Sequence, residues 1–307
     1  MLNLQSTLAR YFQQPDKLQK WTLMFKSVLE LDLGPLEEPT EDSAEIDSRD
    51  KHSFWKLKAT LSKASLRLLQ RFGTPQISLE TKAQADAFAQ SICAPLLDSH
   101  LGLVLKRSQK FIGSKALFYS LRYLSTAVNS SITLQPFVIP HFESLLYEGI
   151  PLMLYLTHKE YQEATEDEQE YVRRSLTTKG DCESPKRAAQ DLLRSICSFK
   201  TPETRKQGKS APPDLLAPFL QFACTHLATF QASQGTADFR IKDALLLGIE
   251  ALAERIEKHK VFNTSVEDLL QTYVFPDLAS SNLFLRLRAL SCYNTFNPVY
   301  LRSKEHA

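Results

Sequence analysis

Apolar residues recur every three or four positions along most of the chain, the period of a helix with one buried face. Leu18, Trp21, Met24/Phe25, Val28 and Leu31 predict a helix over 18–33 that Gly34-Pro35 ends. Phe54, Leu57, Leu61, Ala64, Leu68 and Phe72 predict a second over 54–72, with Lys56, Lys58, Lys63 and Arg67 in water and Gly73 and Pro75 as the stop. A pair over 79–93 and 96–110 should break at Pro95, because proline lacks the N–H a helix interior needs. Leu117, Leu121, Leu124 and Val128 mark the next helix, and Gln135-Pro136 opens its partner, which reaches Pro151. Ser184 as N-cap and Pro185 at the first helical position start a helix with Ala188, Ala189, Leu192, Leu193 and Ile196 on one face. Further helices are expected over 215–230, 241–259, 265–275 and 284–296. Strict alternation never persists for a strand's length, so the fold class is all-α. The helices fall into antiparallel pairs of about forty residues, the spacing of HEAT/armadillo-like units, with room for about seven pairs. The expectation is one α-solenoid segment over 1–307, each pair packing on the next.

Three stretches interrupt this pattern. The segment 34–50 is acidic, contains proline and is poor in apolar residues, which reads as a flexible loop; 199–214 is rich in proline, lysine and arginine, which reads as a linker. The third, 158–183, is a charged insertion. It carries Glu160, Glu163, Glu166, Asp167, Glu168 and Glu170, changes sign at Arg173 and Arg174, and is interrupted by Tyr161 and Tyr171. A charge run is usually a solvated face. An acidic loop can also dock a basic partner, and paired arginines can grip carboxylates bidentately. Composition leaves both readings open.

Composition narrows the function classes. A chain of 307 residues with 43% hydrophobic and 23% charged residues is a folded protein. The net charge of +2 gives no electrostatic case for nucleic-acid or membrane binding, and no uninterrupted apolar run spans a bilayer. Met1–Arg10 lacks the apolar core of a signal peptide, so the five scattered cysteines read as free thiols in a reducing compartment. Only nine glycines are present, which disfavours hairpin-rich and dinucleotide-binding folds. Gly208-Lys209-Ser210 lacks the earlier glycine and the preceding strand of a phosphate loop, and reads as a basic linker. Cys224 and His226 form the one close Cys/His pair, without the further ligands that zinc needs. The remaining histidines are isolated, and no hydrolase, protease or redox motif is present, so the chain reads as non-enzymatic and cofactor-free. Trp21, Trp55, Phe72, Phe118 and Tyr123 fall on apolar faces and are expected in the core.

An ordered series of short segments carries a resemblance. Phe54–Lys58 (FWKLK), Leu69–Pro75 (LQRFGTP), Tyr147–Pro151 (YEGIP), Glu170–Arg174 (EYVRR), Ser184–Leu193 (SPKRAAQDLL), Lys242–Leu245 (KDAL), Lys258–Phe262 (KHKVF), Leu269–Pro276 (LLQTYVFP) and Leu285–Ala289 (LRLRA) occur in that order. The series resembles the middle of the importin-β superfamily and is most similar to the importin-7/importin-8 branch. It departs at Ala244, where the branch has glycine, and in the freer segments 34–50 and 199–214.

The resemblance implies a HEAT-repeat nuclear transport receptor segment that binds the GTPase Ran and protein cargo. It further implies contact with FG-repeat nucleoporins, shuttling between cytoplasm and nucleus through the pore, and a monomer. It implies that the insertion contacts Ran or serves as a hinge, which points to Glu166, Asp167, Glu168, Glu170, Tyr171, Arg173 and Arg174. Family members are about three times longer and hold their main Ran-binding repeats at the N-terminus, so the resemblance also implies a central fragment or a truncated product. A HEAT-repeat scaffold of a kinase or phosphatase complex, without a transport role, is the alternative.

Overall fold

The structure is a computed structural model that describes residues 15–74, 79–176, 183–199, 215–233, 237–259 and 261–300. Every regular element among the described residues is helical, as the periodicity predicts. The chain forms two compact units, Met1–Gly149 with Glu183–Pro202 and Ile150–Cys182 with Glu203–Ala307.

The first unit contains α1 (Pro15–Glu30), α2 (Ser43–Asp50), α3 (Ser53–Phe72), α4 (Leu79–Phe88), α5 (Ala94–Leu105), α6 (Ser114–Ser130), α7 (Gln135–Val138), α8 (Phe142–Ser144) and, after the excursion through the second unit, the helix Pro185–Cys197. α3 packs on α6, and α6 on Pro185–Cys197. Contacts advance in step along each interface. Trp55 meets Phe111 edge-on at 5.6 Å, and Lys63 lies over the Tyr119 ring at 5.1 Å. Arg122 binds Asp191 at 2.8 Å, and Ser125 meets Ser195 at 2.8 Å. These three helices therefore run parallel in a row; α5 runs back against α6, with Tyr123 donating to Cys93 O at 2.8 Å and His100 meeting Ser120 at 3.0 Å, and α1 packs on α5. That arrangement is a stack of antiparallel pairs.

The second unit contains α9 (Ile150–Leu154), α10 (His158–Glu166) and α11 (Glu168–Leu176). With Pro185–Cys197 as α12, it continues with α13 (Leu216–Ala232), α14 (Phe239–Ala251), α15 (Ala253–Glu257), α16 (Phe262–Leu269) and α17 (Leu283–Tyr300). α13 and α14 form one pair, and α17 packs on α14. Arg288 joins them, with Nε 2.8 Å from Asp243 and Nη1 2.9 Å from Glu250, while Ser291 donates to Glu250 at 2.6 Å. Burial penalises the Arg288 charge, but Asp243 and Glu250 outweigh it and hold the guanidinium well above its usual range. Lys242 binds Asp277 at 2.6 Å beside these groups.

Prolines inside helices do not all break them here. The chain passes from α4 to α5 through a π-turn, Ala89–Cys93, and Pro95 follows it. The same sequence of events recurs at Leu145–Gly149 before Pro151 and at Leu270–Val274 before Pro276. In two of the turns the closing N–H reaches back five residues, Ala94 to Ala89 and Phe275 to Leu270. After Leu270–Val274 the chain passes into a 3-10 turn, Phe275–Ala279, and the helix ends there, whereas at Pro95 the wider turn accommodates the ring and the missing donor and α-helix resumes. As a result Lys82–Ser108 is continuous, and by length and composition alone it could cross a bilayer, although Asp98 and His100 interrupt its apolar run. It is a core helix: 67% of its apolar window is buried.

Two predicted faces are rotated. α3 buries Trp55, Lys58, Ala59, Leu61, Ser62, Ser65, Leu66 and Leu69, and leaves Phe54 and Leu57 exposed. The buried stripe mixes apolar residues with the small Ala59, Ser62 and Ser65, which permit close approach of its neighbours. Lys58, expected in water, is 2% exposed. On α1 the buried residues are Thr22, Phe25 and Leu29, while Trp21 and Met24 are exposed.

The segment 34–50, read from its sequence as a flexible loop, contains a 3-10 turn at Gly34–Glu37 and helix α2, capped by Asp42 accepting from Ala44 N at 2.8 Å. Gly34 has φ +55°, which glycine adopts without strain, and its N–H donates to Asp32 at 2.8 Å. Glu37 is buried, where it meets Lys58 at 3.2 Å and Lys110 at 2.8 Å. The linker 200–214, including Gly208, Lys209 and Ser210, lies outside the described residues, as do Gly180 and Cys182.

Candidate functional site

The charged insertion folds as a hairpin of two nine-residue helices, α10 and α11. Thr157 and Glu160 form a capping box: the Thr157 hydroxyl accepts from Glu160 N at 3.2 Å, and the Glu160 carboxylate accepts from Thr157 N at 2.8 Å. Asp167 separates the helices in an extended conformation, and its carboxylate accepts from Glu170 N at 2.9 Å. Asp167 thus caps α11. Among the predicted site residues it has a structural task of its own.

Glu166, Asp167 and Glu168 are exposed at the corner of the hairpin. One turn along α11, Arg173 binds Glu170 with two 2.7 Å hydrogen bonds, a fork-to-carboxylate pair, and remains exposed. Glu168 approaches Arg286 at 3.8 Å. The side chain of Arg174 lies outside the described residues. The hairpin therefore gathers Glu166, Asp167, Glu168, Glu170 and Arg173 on one short element, with Tyr171 turned inward.

Tyr171 meets Phe284 edge-on at 5.6 Å, and Tyr161 stacks on the same ring at 5.6 Å. Phe239 stacks on Phe284 at 5.7 Å. Leu156, Ala164 and Leu283 complete the cluster. Sequence reasoning missed Phe239 and Phe284, which lie at the starts of distant helices. The two tyrosines, one per helix, were the available signal.

A second feature was invisible in the sequence. An open groove of about 480 Å³ is lined mainly by apolar residues of α13, α15, α16 and α17, among them Leu220, Ile256, Val266 and Phe296. Cys224 lies in its wall, and burial pushes its thiol above the usual range, away from nucleophilic use. His226 packs against Phe222 at 4.5 Å. Among the described residues no group of three or more His, Cys, Asp or Glu side chains could hold a metal ion.

The chain is 27% identical over 285 residues to "Importin beta-like SAD2 homolog" of Arabidopsis thaliana, covering 92% of this chain and 26% of that protein. It is 28% identical over 265 residues to "Importin-8" of Danio rerio, covering 83% of this chain and 23% of the relative. "Importin-8" of Homo sapiens is 25% identical over 281 residues, covering 90% and 25%. These relatives are importin-β family members. They match the importin-7/importin-8 branch that the motif series resembles. The chain spans about a quarter of the length of the importins it matches. No protein-family model matches it, and no solved structure does.

Proposed function

We propose that the chain is a segment of a nuclear transport receptor that works by binding rather than catalysis, shuttling between cytoplasm and nucleus and contacting Ran and protein cargo. The observation that carries this reading is the similarity to importins along most of an all-helical chain of stacked pairs. The acidic corner Glu166–Glu168 and the exposed Arg173, with Arg174 beside it in sequence, are the proposed partner-facing residues. Exposed carboxylates attract a basic surface, and an arginine fork can exchange Glu170 for a partner's carboxylate. The apolar groove at α13 and α16 is the proposed seat for a phenylalanine of an FG-repeat nucleoporin. Each partner would act by favouring one conformation of the receptor.

Binding of the purified chain to Ran, loaded with a GTP analogue or with GDP, tests the reading by interferometry. Preference for the GTP form is expected, weakened about tenfold when Arg173 and Arg174 are both replaced by alanine, with the circular dichroism spectrum unchanged. Equal binding to both nucleotide forms, or none, refutes Ran recognition by this segment. Unfolding of the double variant refutes the assignment of the arginines.

A further inference from the structure

We propose that the outer face of the row α3–α6–α12 is a docking surface for an extended acidic segment of a protein partner. The three helices run parallel, and each presents basic side chains seven residues apart, which is two helical turns and therefore one stripe. Lys56 and Lys63 lie on α3 with Arg67 one turn further, Lys115 and Arg122 on α6, and Arg187 and Arg194 on α12. Lys56, Arg67, Lys115, Arg187 and Arg194 are exposed, and the side chains of Lys63 and Arg122 are 42% and 41% exposed. The whole chain has a net charge of only +2, so this face concentrates positive charge rather than sharing a general excess.

Each interface in the row already holds a carboxylate among these cations. At α3–α6 the Tyr119 hydroxyl donates to Glu183, with Lys63 at 3.6 Å and Lys115 at 3.5 Å. The Tyr119 hydroxyl, then Lys63 and Lys115, hold the Glu183 carboxyl below its usual range. At α6–α12, Arg122 and Arg194 both bind Asp191 at 2.8 Å. Glu183 and Asp191 show how the face grips carboxylates, but two anions do not balance the seven cations named above. Arg67 stands near enough to Lys63 to oppose its charge, although the Tyr119 hydroxyl holds that ammonium above its usual range. Packed helices stand about 8–10 Å apart, so a segment crossing all three covers about 20 Å, the length of about six extended residues. Carboxylates on alternate residues of such a segment, about 7 Å apart, come within reach of the long side chains of successive helices. A nucleic acid fits less well, because Tyr119, the ring set among the cations, is buried and offers no face to a stacked base. The surface belongs to the first unit and stands whether or not the charged hairpin binds Ran.

Fluorescence anisotropy of a labelled oligoglutamate peptide, titrated with the full 307-residue chain, tests the proposal. Binding is expected at low ionic strength and should weaken about tenfold or more between about 0.05 and 0.5 M salt. The triple variant Lys56→Glu, Arg67→Glu, Arg187→Glu should lose about tenfold or more in affinity with an unchanged circular dichroism spectrum. Should that variant misfold, the milder Lys56→Gln, Arg67→Gln, Arg187→Gln reads the same face and should lose about threefold or more. A control triple, Lys20→Glu, Lys26→Glu, Lys82→Glu on α1 and α4, matches the charge-reversal variant in net charge and should lose less than about twofold. Equal losses in the control and the face variant overturn the proposal, since binding would then follow total charge and not its place. So do an absence of peptide binding at low salt, and tighter binding of a single-stranded oligonucleotide of equal charge.

Discussion

Replacing Glu37 by glutamine should destabilise the first unit more than replacing its partner Lys58 by methionine. Lys58 is 2% exposed, and its ammonium donates to Leu31 O at 2.5 Å and to Glu37 at 3.2 Å, with the Trp55 ring 5.1 Å away. Burial pulls the Lys58 pKa below its usual value despite Glu37, so its charge is held under strain. Breaking a buried pair by removing one charge costs about 3–5 kcal/mol. In Glu37→Gln the amide oxygen and Leu31 O still accept from the ammonium, which reduces the expected cost to about 2–3 kcal/mol. In Lys58→Met the remaining carboxylate keeps Lys110 at 2.8 Å, and methionine fills the channel of the lysine stem. That change should cost about 1–2 kcal/mol. Both tryptophans, Trp21 and Trp55, lie in the first unit, so urea unfolding followed by tryptophan fluorescence reads this unit. A loss of 2–3 kcal/mol corresponds to a midpoint lower by about 1 M at an ordinary urea slope.

The same pair sets a pH dependence. Burial pushes the Glu37 carboxyl up, but Lys110 and Lys58 together outweigh it and leave the pKa below the ordinary 4.5. A carboxyl whose folded pKa is depressed contributes stability that is complete above its unfolded pKa and is lost as pH falls through the folded value. The gap between wild type and Glu37→Gln should therefore be full at pH 7 and close on acidification below about pH 4.5. A midpoint for Glu37→Gln within 0.2 M of wild type, roughly 0.5 kcal/mol, would refute the reasoning. A larger loss for Lys58→Met than for Glu37→Gln would refute it as well.

Two further substitutions follow from close packing and buried charge. A Cβ added at Gly113 would lie 2.9 Å from Trp55 Cε3, so Gly113→Ala should cost about 1–3 kcal/mol and shift the tryptophan emission, whereas Gly102→Ala meets nothing within 4 Å and should be neutral or stabilising in a thermal melt. Arg288→Met would leave Asp243 and Glu250 facing each other without a cation and should cost about 3–5 kcal/mol, read by hydrogen exchange across α14 and α17, with Arg288→Lys intermediate because it lacks the fork.

The all-helical class and the succession of helix pairs were legible from apolar spacing alone, because a helix must bury one face and its period is fixed by backbone geometry. Among the described residues α5 pairs with α6 in the first unit and α13 with α14 in the second. The gathering of charge over 158–173 was legible as well, since charge order along the chain survives folding. Which stripe of α3 faces inward was not. The buried stripe carries Lys58, Ser62 and Ser65 and so is the less apolar by sequence, and the choice is made by neighbours that admit Ala59, Ser62 and Ser65 at close range. Nor could the sequence show that Lys58 is buried, because its charge is matched by a glutamate 21 residues away in a segment that reads as loop.

The sequence by itself determined the class of structure, the absence of recognisable catalytic motifs and the place where charge is concentrated, all properties set within a few turns of chain. Tertiary structure decided the rest. It placed a π-turn before Pro95 so that the helix continues instead of ending, and it buried Glu37 with Lys58. It set both tyrosines of the charged hairpin on Phe284, more than a hundred residues further along the chain. Periodicity records that a face will be buried, but the partner that buries it is chosen only when distant segments meet.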